Sequence, residues 1–178
     1  MRADAVRNRQ KIVEVASELM DDVGAQFSMD AVAKAARVGA GTLYRHFPTR
    51  ELLIAEIIDT RHTDLPAVEE LLAQTSTARE ALRIWISILW GWMRSYESLT
   101  QPLLEASENN YSSPLGVHCS AIITNMDHLI KRAQEEGDVR EDVTGMSLYH
   151  AVLGLAWASK NLESADSLLI LLEKGWSV

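Results

Sequence analysis

The sequence lacks the features on which disulfide-linked, membrane-spanning and strand-rich proteins depend. Its 178 residues contain one cysteine, which cannot form a disulfide within the chain. No run of about 18 apolar residues is present, and the first residues have no apolar signal-peptide core, so we expect a cytoplasmic protein. The four prolines and nine glycines mostly separate stretches with helical spacing, and no segment alternates β-branched with polar residues. The sequence therefore predicts an all-α protein.

Charge is unevenly distributed along the chain. The formal net charge is −8, yet residues 1–50 hold eight basic and six acidic side chains, whereas residues 51–178 hold nine basic and 19 acidic ones. Such an asymmetry indicates that one segment meets an anion while the rest does not.

The spacing of apolar residues predicts about nine helices. Four of these helices have a candidate N-cap residue, namely Ser28, Thr49, Thr77 and Ser113. The fifth predicted helix is apolar nearly all round and is therefore expected to be buried. The predicted helices lie at about 4–23, 29–36, 40–47, 50–66, 77–97, 102–108, 114–137, 142–160 and 165–174.

The second and third predicted helices are joined by a three-residue link, which is typical of a helix-turn-helix whose later helix enters the DNA major groove. Leu43 and Phe47 are four residues apart and are expected to face inward. Thr42, Arg45 and His46 then fall on the outer side.

The outer residues have chemistry suited to DNA. Gly41 allows close backbone approach, Thr42 can contact thymine, and Arg45 can form a bidentate pair with guanine. Tyr44 and Arg50 are expected to reach phosphates at the edges of the groove. The basic residues near the chain start, Arg2, Arg7, Arg9 and Lys11, are interpreted as phosphate contacts too, with a solvated helix end as the alternative.

This segment resembles the TetR family of bacterial transcriptional repressors. From Ser28 to Leu53 it reads SMDAVAKAARVGAGTLYRHFPTRELL, similar to the family's second to fourth helices, and the detailed resemblance covers roughly residues 8–58. Many family members have glycine where Arg37 stands, so the resemblance implies a positive φ there. They often have lysine where Arg50 stands, and serine or threonine where Gly39 stands.

The resemblance implies a helix-turn-helix DNA-binding domain at 1–50 and a ligand-binding and dimerisation domain at 51–178. It implies repression through a near-palindromic double-stranded operator that overlaps a promoter, relieved by an inducer, with no cofactor. The predicted DNA-binding residues are Ser28, Met29, Gly39, Ala40, Gly41, Thr42, Tyr44, Arg45, His46 and Arg50.

The inducer is expected to be small and hydrophobic or aromatic, because the chain has five tryptophans against two phenylalanines and all five tryptophans lie beyond the DNA-binding segment. A lipophilic cation is one variant of this ligand. The predicted ligand-binding residues are Trp85, Leu89, Trp92, Tyr96, Glu105, Tyr111, His118, Ile122, Met126 and Trp157.

A homodimer is predicted through the eighth and ninth helices. Residues 168–172 are all apolar and surround the helix. A helix that packs on the core with one face buries only some of these side chains, so the others are expected to contact a partner. Gly145, Ala151, Gly154 and Ala158 are small enough for helices to approach closely.

Two alternatives differ from this interpretation. An enzyme or metal site at His118 and Cys119 is disfavoured, since adjacent helical residues point about 100° apart and the chain has no Cys-x-x-Cys or Gly-rich phosphate loop. The other alternative is a DNA-binding regulator that holds no small molecule and is controlled by a protein partner or by its own abundance.

Overall fold

The computed structural model describes residues 2–61, 65–109, 112–159 and 166–178. These residues form ten α-helices, one 3-10 turn at Glu97–Leu99 and no strand, with one isolated bridge between Val139 and Ser177. The helices are α1 (Arg2–Val23), α2 (Met29–Ala36), α3 (Ala40–His46), α4 (Arg50–Arg61), α5 (Val68–Gln74), α6 (Ala78–Ser95), α7 (Thr100–Asn109), α8 (Pro114–Glu135), α9 (Gly145–Ala158) and α10 (Asp166–Trp176). The all-α prediction is confirmed. Within those ranges no helix is long and apolar enough to cross a bilayer.

The predicted number of helices is one too few because α5 was missed. This helix has seven residues, of which Val68 and Leu71 are buried. The spacing of apolar residues cannot distinguish so short a helix from the loops on either side of it. The predicted fourth helix is also too long, since Leu65 and Pro66 are not helical.

Two helix ends near the C-terminus differ from the prediction, one for a local reason and one for a tertiary reason. Helix α9 begins at Gly145, where Thr144 forms a capping box, and not at residue 142. Helix α10 continues through Gly175 to the buried Trp176. Arg140 holds this last turn, because its side chain donates to the Gly175 carbonyl at 3.0 Å and its backbone N–H donates to the Trp176 carbonyl at 3.1 Å.

Helices α1 to α4 pack around a small apolar core. The centre of this core is at most 2% exposed and takes side chains from α1, the α1–α2 link, the α3 region and α4. These side chains are Ile12, Phe27, Leu43, Phe47 and Ile57. Helix α3 packs against α2 and inserts Leu43 into this core, so the outer face of α3 has a defined orientation.

The link between α2 and α3 turns at a residue with positive φ. Arg37 has φ 57° and ψ 40°, and its N–H donates to the Lys34 carbonyl. The left-handed conformation expected at this position is confirmed. An arginine adopts it here at a steric cost that a glycine would not have.

Helices α6, α8 and α9 pack against one another, and α7 packs against α8 and α9. Trp85 and Leu89 on α6, Met126 on α8 and Tyr149 on α9 are fully buried. The predicted burial of the helix that contains Trp85 is confirmed.

Carboxylates from α8 and from the residue that follows it cap two of the other helices. The N–H of Ala78 donates to Glu136 Oε2 at 2.8 Å, and the N–H of Gly145 donates to Asp127 Oδ1 at 2.6 Å. These bonds satisfy helix N-terminal donors and complement the helix dipoles. A Cβ on Gly145 would lie 2.6 Å from the Ile123 carbonyl oxygen, so this glycine serves the α8–α9 contact within the chain.

Candidate nucleic-acid interface

Helix α3 has an apolar inner face and a polar outer face. Leu43 and Phe47 are buried, whereas Tyr44 is 45% exposed and Arg45 is exposed. Thr42 and His46 are half-buried at the boundary between the two faces. The inward orientation predicted for Leu43 and Phe47 is confirmed, and the helix presents a guanidinium and a phenol to solvent.

The start of α3 is open to a close approach. Gly39 is the N-cap residue, and Ala40 and Gly41 are exposed. A Cβ built on Gly41 meets nothing within 4 Å. A DNA surface can therefore approach this backbone without displacing a side chain.

The start of α2 flanks the same surface. Ser28 occupies the N-cap position and is exposed, but its side chain makes no capping hydrogen bond, so the predicted side-chain cap is wrong. Its backbone carbonyl accepts the first hydrogen bond of the helix, from the N–H of Val32 at 3.1 Å. Met29 is half-buried against the core.

Arg50 is the first residue of α4 and is exposed. Its Nη1 donates to the Phe27 carbonyl at 3.5 Å, which holds the guanidinium beside the α1–α2 link. The hydroxyl of Thr49 accepts from the N–H of Leu52 at 3.2 Å, so the predicted cap of this helix is confirmed. A cation thus lies next to a helix N-terminus, an arrangement suited to a phosphate.

Two of the basic residues of α1 make contacts within the chain. Arg9 forms a two-point ion pair with Glu56 of α4, with Nη2 to Oε2 at 2.7 Å, and its guanidinium lies 5.0 Å from the Phe47 ring centre. The hydrogen bond from Arg9 lowers the pKa of Glu56. Arg7 pairs with Asp4 at 2.7 Å. Arg9 therefore ties α1 to α4 in this structure.

Helix α4 also touches the C-terminal half directly. Glu51 Oε1 accepts from the N–H of Leu115 in the first turn of α8, at 3.3 Å. His118 Nε2 lies 3.4 Å from Asp59 Oδ1. Sequence reasoning missed Glu51, since a carboxylate in the first turn of a helix is expected to stabilise its own helix dipole. The contacts join the helix that carries Arg50 to the core of the second half.

The predicted ligand-binding residues do not form one open pocket. Ile122, like Trp85, Leu89 and Met126, belongs to the buried core, and His118 faces Asp59. The rings of Trp92 and Tyr96 lie 5.5 Å apart against that core. Tyr111 lies outside the described residues. Glu105 and Trp157 line two of the cavities described next.

Three of the cavities between described helices bear on a ligand site. One, here called the junction cavity, has a volume of about 560 Å³ and lies between the end of α1, α7 and α9. A second, of about 380 Å³, separates α6 from α10. A third, of about 330 Å³, lies between α4, α7 and the start of α8. All three fall within the size range of small-molecule sites.

The environment of Cys119 is unlike that of a nucleophile. The thiol is fully buried, with Sγ 3.3 Å from the Tyr149 hydroxyl and 3.5 Å from the Leu103 carbonyl. Burial raises the pKa of this thiol, so it stays protonated. Across the described ranges, no three His, Cys, Asp or Glu side chains form a group able to hold a metal ion.

Two family profiles match the chain. The profile described as bacterial regulatory proteins of the tetR family matches residues 12–57. The profile described as the C-terminal domain of SbtR-like transcriptional regulators matches residues 77–176, more than half of the chain.

Individual proteins agree with these profiles. An HTH-type transcriptional regulator of Staphylococcus aureus (strain bovine RF122 / ET3-1) is 46% identical over 59 residues, 33% of this chain and 32% of the relative. The match thus spans about a third of the length of the curated relatives.

Solved structures match over nearly the whole chain. A TetR transcriptional regulator of Streptomyces coelicolor is 29% identical, with TM-score 0.61 over 95% of this chain and 98% of that one. The Thermus thermophilus repressor FadR in complex with lauroyl-CoA is 23% identical, with TM-score 0.67 over 93% and 90% of the two chains, and shows the fold alone.

Proposed function

Because the chain belongs to the TetR family, whose members are transcriptional regulators and not enzymes, we propose that it is a repressor that binds a near-palindromic operator as a homodimer. Residues 1–50 form the DNA-binding domain and residues 51–178 the ligand-binding and dimerisation domain. The repressor acts in the cytoplasm, where bacterial DNA lies. A small hydrophobic molecule bound by the second domain releases the operator.

The orientation of α3 carries this proposal. Buried Leu43 and Phe47 fix the helix, so Tyr44 and Arg45 project from the surface that the second helix of a helix-turn-helix presents to the major groove. Arg45 reads a guanine edge, and Arg50 holds a phosphate at the start of α4.

The dimer rests on the exposed apolar side chains of α10 and on small residues of α9. Leu171 is 64% exposed and Ile170 is similarly exposed, whereas Leu169 and Leu172 are half-buried against the core. Ala158 of α9 is exposed as well. So many exposed apolar groups on adjacent helices favour a partner surface, and a two-fold pair would present two copies of α3.

Two observations bear on the effector. The full burial of Trp85, Leu89 and Met126 favours the alternative of a regulator with no small-molecule ligand. The junction cavity favours a ligand, because it is large and its walls come from both halves of the chain. Lauroyl-CoA, bound by the Thermus repressor, is a suitable test compound for a charged effector.

Substitution of the two arginines tests the DNA-binding role. We expect Arg45→Ala to weaken operator binding by about 1–3 kcal/mol and to relax base preference at one position. Arg50→Ala is expected to weaken binding to operator and random duplex alike, and to reduce the salt slope by about one. Fluorescence anisotropy at several salt concentrations measures both effects.

The matched control is Arg132→Ala, because Arg132 is exposed on α8 and pairs with Glu135 of the same helix. This variant should bind both duplexes like the wild type. Equal losses on operator and random duplex for Arg45→Ala would contradict the base-reading role.

A further inference from the structure

The junction cavity joins the two halves of the chain. Val23 and Gly24 at the end of α1 line one side, and Leu104 of α7 and Leu153 of α9 line the other. Its volume of about 560 Å³ is within the range of pockets that enclose a drug-sized ligand. A molecule bound here touches the DNA-binding segment and the C-terminal helices at the same time.

The described lining of the junction cavity has no carboxylate, lysine or arginine side chain, although these types make up 24% of the chain. The cavity between α4 and α8 differs, since Arg50, Glu51 and Glu105 line it. An ion that enters an uncharged site loses hydration without gaining a counter-charge. The junction cavity therefore suits an uncharged ligand.

The cavity offers both a flat apolar surface and neutral hydrogen-bonding groups. Trp157 is 63% exposed, and its indole is an accessible surface for a ring to stack on. Ser98, Thr100 and Gln26 bring hydroxyl and amide groups to the same cavity. A ligand with an apolar ring body and a small polar group matches this combination.

His150 brings to the cavity a ring whose position is held. The Ser107 hydroxyl is fully buried and donates to the Leu104 carbonyl at 2.8 Å, and its oxygen lies 2.9 Å from His150 Nε2. This contact engages Nε2, so Nδ1 is the ring nitrogen left for a ligand. His150 lines the cavity, and a ligand hydroxyl can hydrogen-bond to its imidazole.

We propose that the junction cavity is a binding site for an uncharged aromatic or alicyclic compound that carries a hydroxyl group. The ring stacks on Trp157 and the hydroxyl forms a hydrogen bond with the His150 imidazole. This inference deepens the proposed function, because occupancy of a cavity between the halves changes how α1 sits against α7 and α9. We expect operator affinity to fall about 5- to 150-fold at saturation, the usual range of coupling between two sites.

Calorimetric titration of the full chain with 2-naphthol tests the site, with naphthalene and 2-naphthoate as probes that lack the hydroxyl or add a charge. Binding of 2-naphthol should be saturable, and both other probes should bind more weakly. His150→Phe keeps a flat ring and leaves Ser107 its bond to Leu104, so we expect roughly 2- to 10-fold weaker 2-naphthol binding, the effect of one lost neutral hydrogen bond. Trp157→Leu should weaken all three probes.

His128→Phe is the matched control, because His128 is an exposed histidine of α8 whose near partner is Glu69, at 3.7 Å. It should bind 2-naphthol like the wild type. The exposed position of Trp157 makes Trp157→Leu informative even if His150→Phe fails to fold. Unchanged 2-naphthol affinity in Trp157→Leu, or tighter binding of 2-naphthoate than of 2-naphthol, would overturn the proposed site.

Operator binding is measured separately on the unliganded protein. A wild type that binds no operator overturns the proposed repressor, while the titrations still decide whether the cavity binds the probe. A wild type that binds operator, with titrations that show no saturable 2-naphthol binding, overturns the ligand site and leaves the repressor intact.

Discussion

Replacement of Arg37 by glycine should stabilise the protein. Arg37 is exposed and has φ 57°, a conformation that costs an L-residue about 1–2 kcal/mol. Glycine removes that cost, but it also stabilises the unfolded state by about 0.4–1 kcal/mol because it raises the conformational entropy of the unfolded chain. The difference predicts that Arg37→Gly raises the free energy of unfolding by about 0.5–1 kcal/mol. For a chain of this length, this corresponds to a rise in Tm of roughly 1–4 °C.

Two further variants separate backbone strain from the loss of the arginine side chain. Arg37→Ala removes the guanidinium but keeps the strained φ, so it should stay below Arg37→Gly in stability. Ala35→Gly places glycine at an exposed helical position of α2, where it should destabilise by about 1 kcal/mol. A glycine is therefore expected to raise the stability at position 37 and to lower it at position 35.

Urea unfolding followed by circular dichroism measures all three variants. A glycine variant less stable than Arg37→Ala would refute the reasoning, because relief of a positive φ depends on the backbone alone. Equal m-values across the series would show that the comparison concerns the native state and not the compactness of the unfolded chain.

Three other predictions concern an ion pair, the dimer and the thiol. Arg9 lowers the pKa of Glu56, so this pair stabilises the protein above the ordinary glutamate pKa and ceases to do so as the pH falls through the lowered value. Glu56→Gln should therefore cost up to about 1 kcal/mol at pH 7 and progressively less below about pH 4, as pH-dependent urea unfolding measures; a constant difference would contradict this. Leu171→Glu should convert the dimer to monomer in sedimentation, while Val117→Glu, at a similarly exposed position of α8, should not. Cys119 should react with a thiol reagent such as DTNB only on unfolding, because its thiol is buried and its pKa is raised; fast labelling of the native protein would count against this geometry.

Local signals in the sequence predicted much of the fold. Thr77 and Ser113 cap their helices as predicted, with hydroxyls that accept from the N–H groups of Glu80 and Gly116. The two faces of α3 also follow from spacing alone. These features depend on residues within one turn of each other, which is the range over which a sequence pattern is informative.

Features that depend on packing between distant segments escaped prediction. The last turn of α10 exists because Arg140, far from it in sequence, binds the Gly175 carbonyl. The tryptophans of α6 suggested a ligand wall, yet the packing of α8 and α9 on either side encloses Trp85. No local pattern places Val23 beside Trp157, so the junction cavity could not be predicted from the sequence.

Nuclease footprinting of the DNA upstream of the protein's own gene tests the central claim most directly. The account predicts one protected near-palindrome whose two half-sites lie one turn of DNA apart, about 34–36 Å, because a two-fold dimer presents two copies of α3. Arg45→Ala should abolish this footprint at protein concentrations where Arg132→Ala retains it. Protection without sequence preference, or of a single asymmetric half-site, would contradict a dimer that reads its operator through α3.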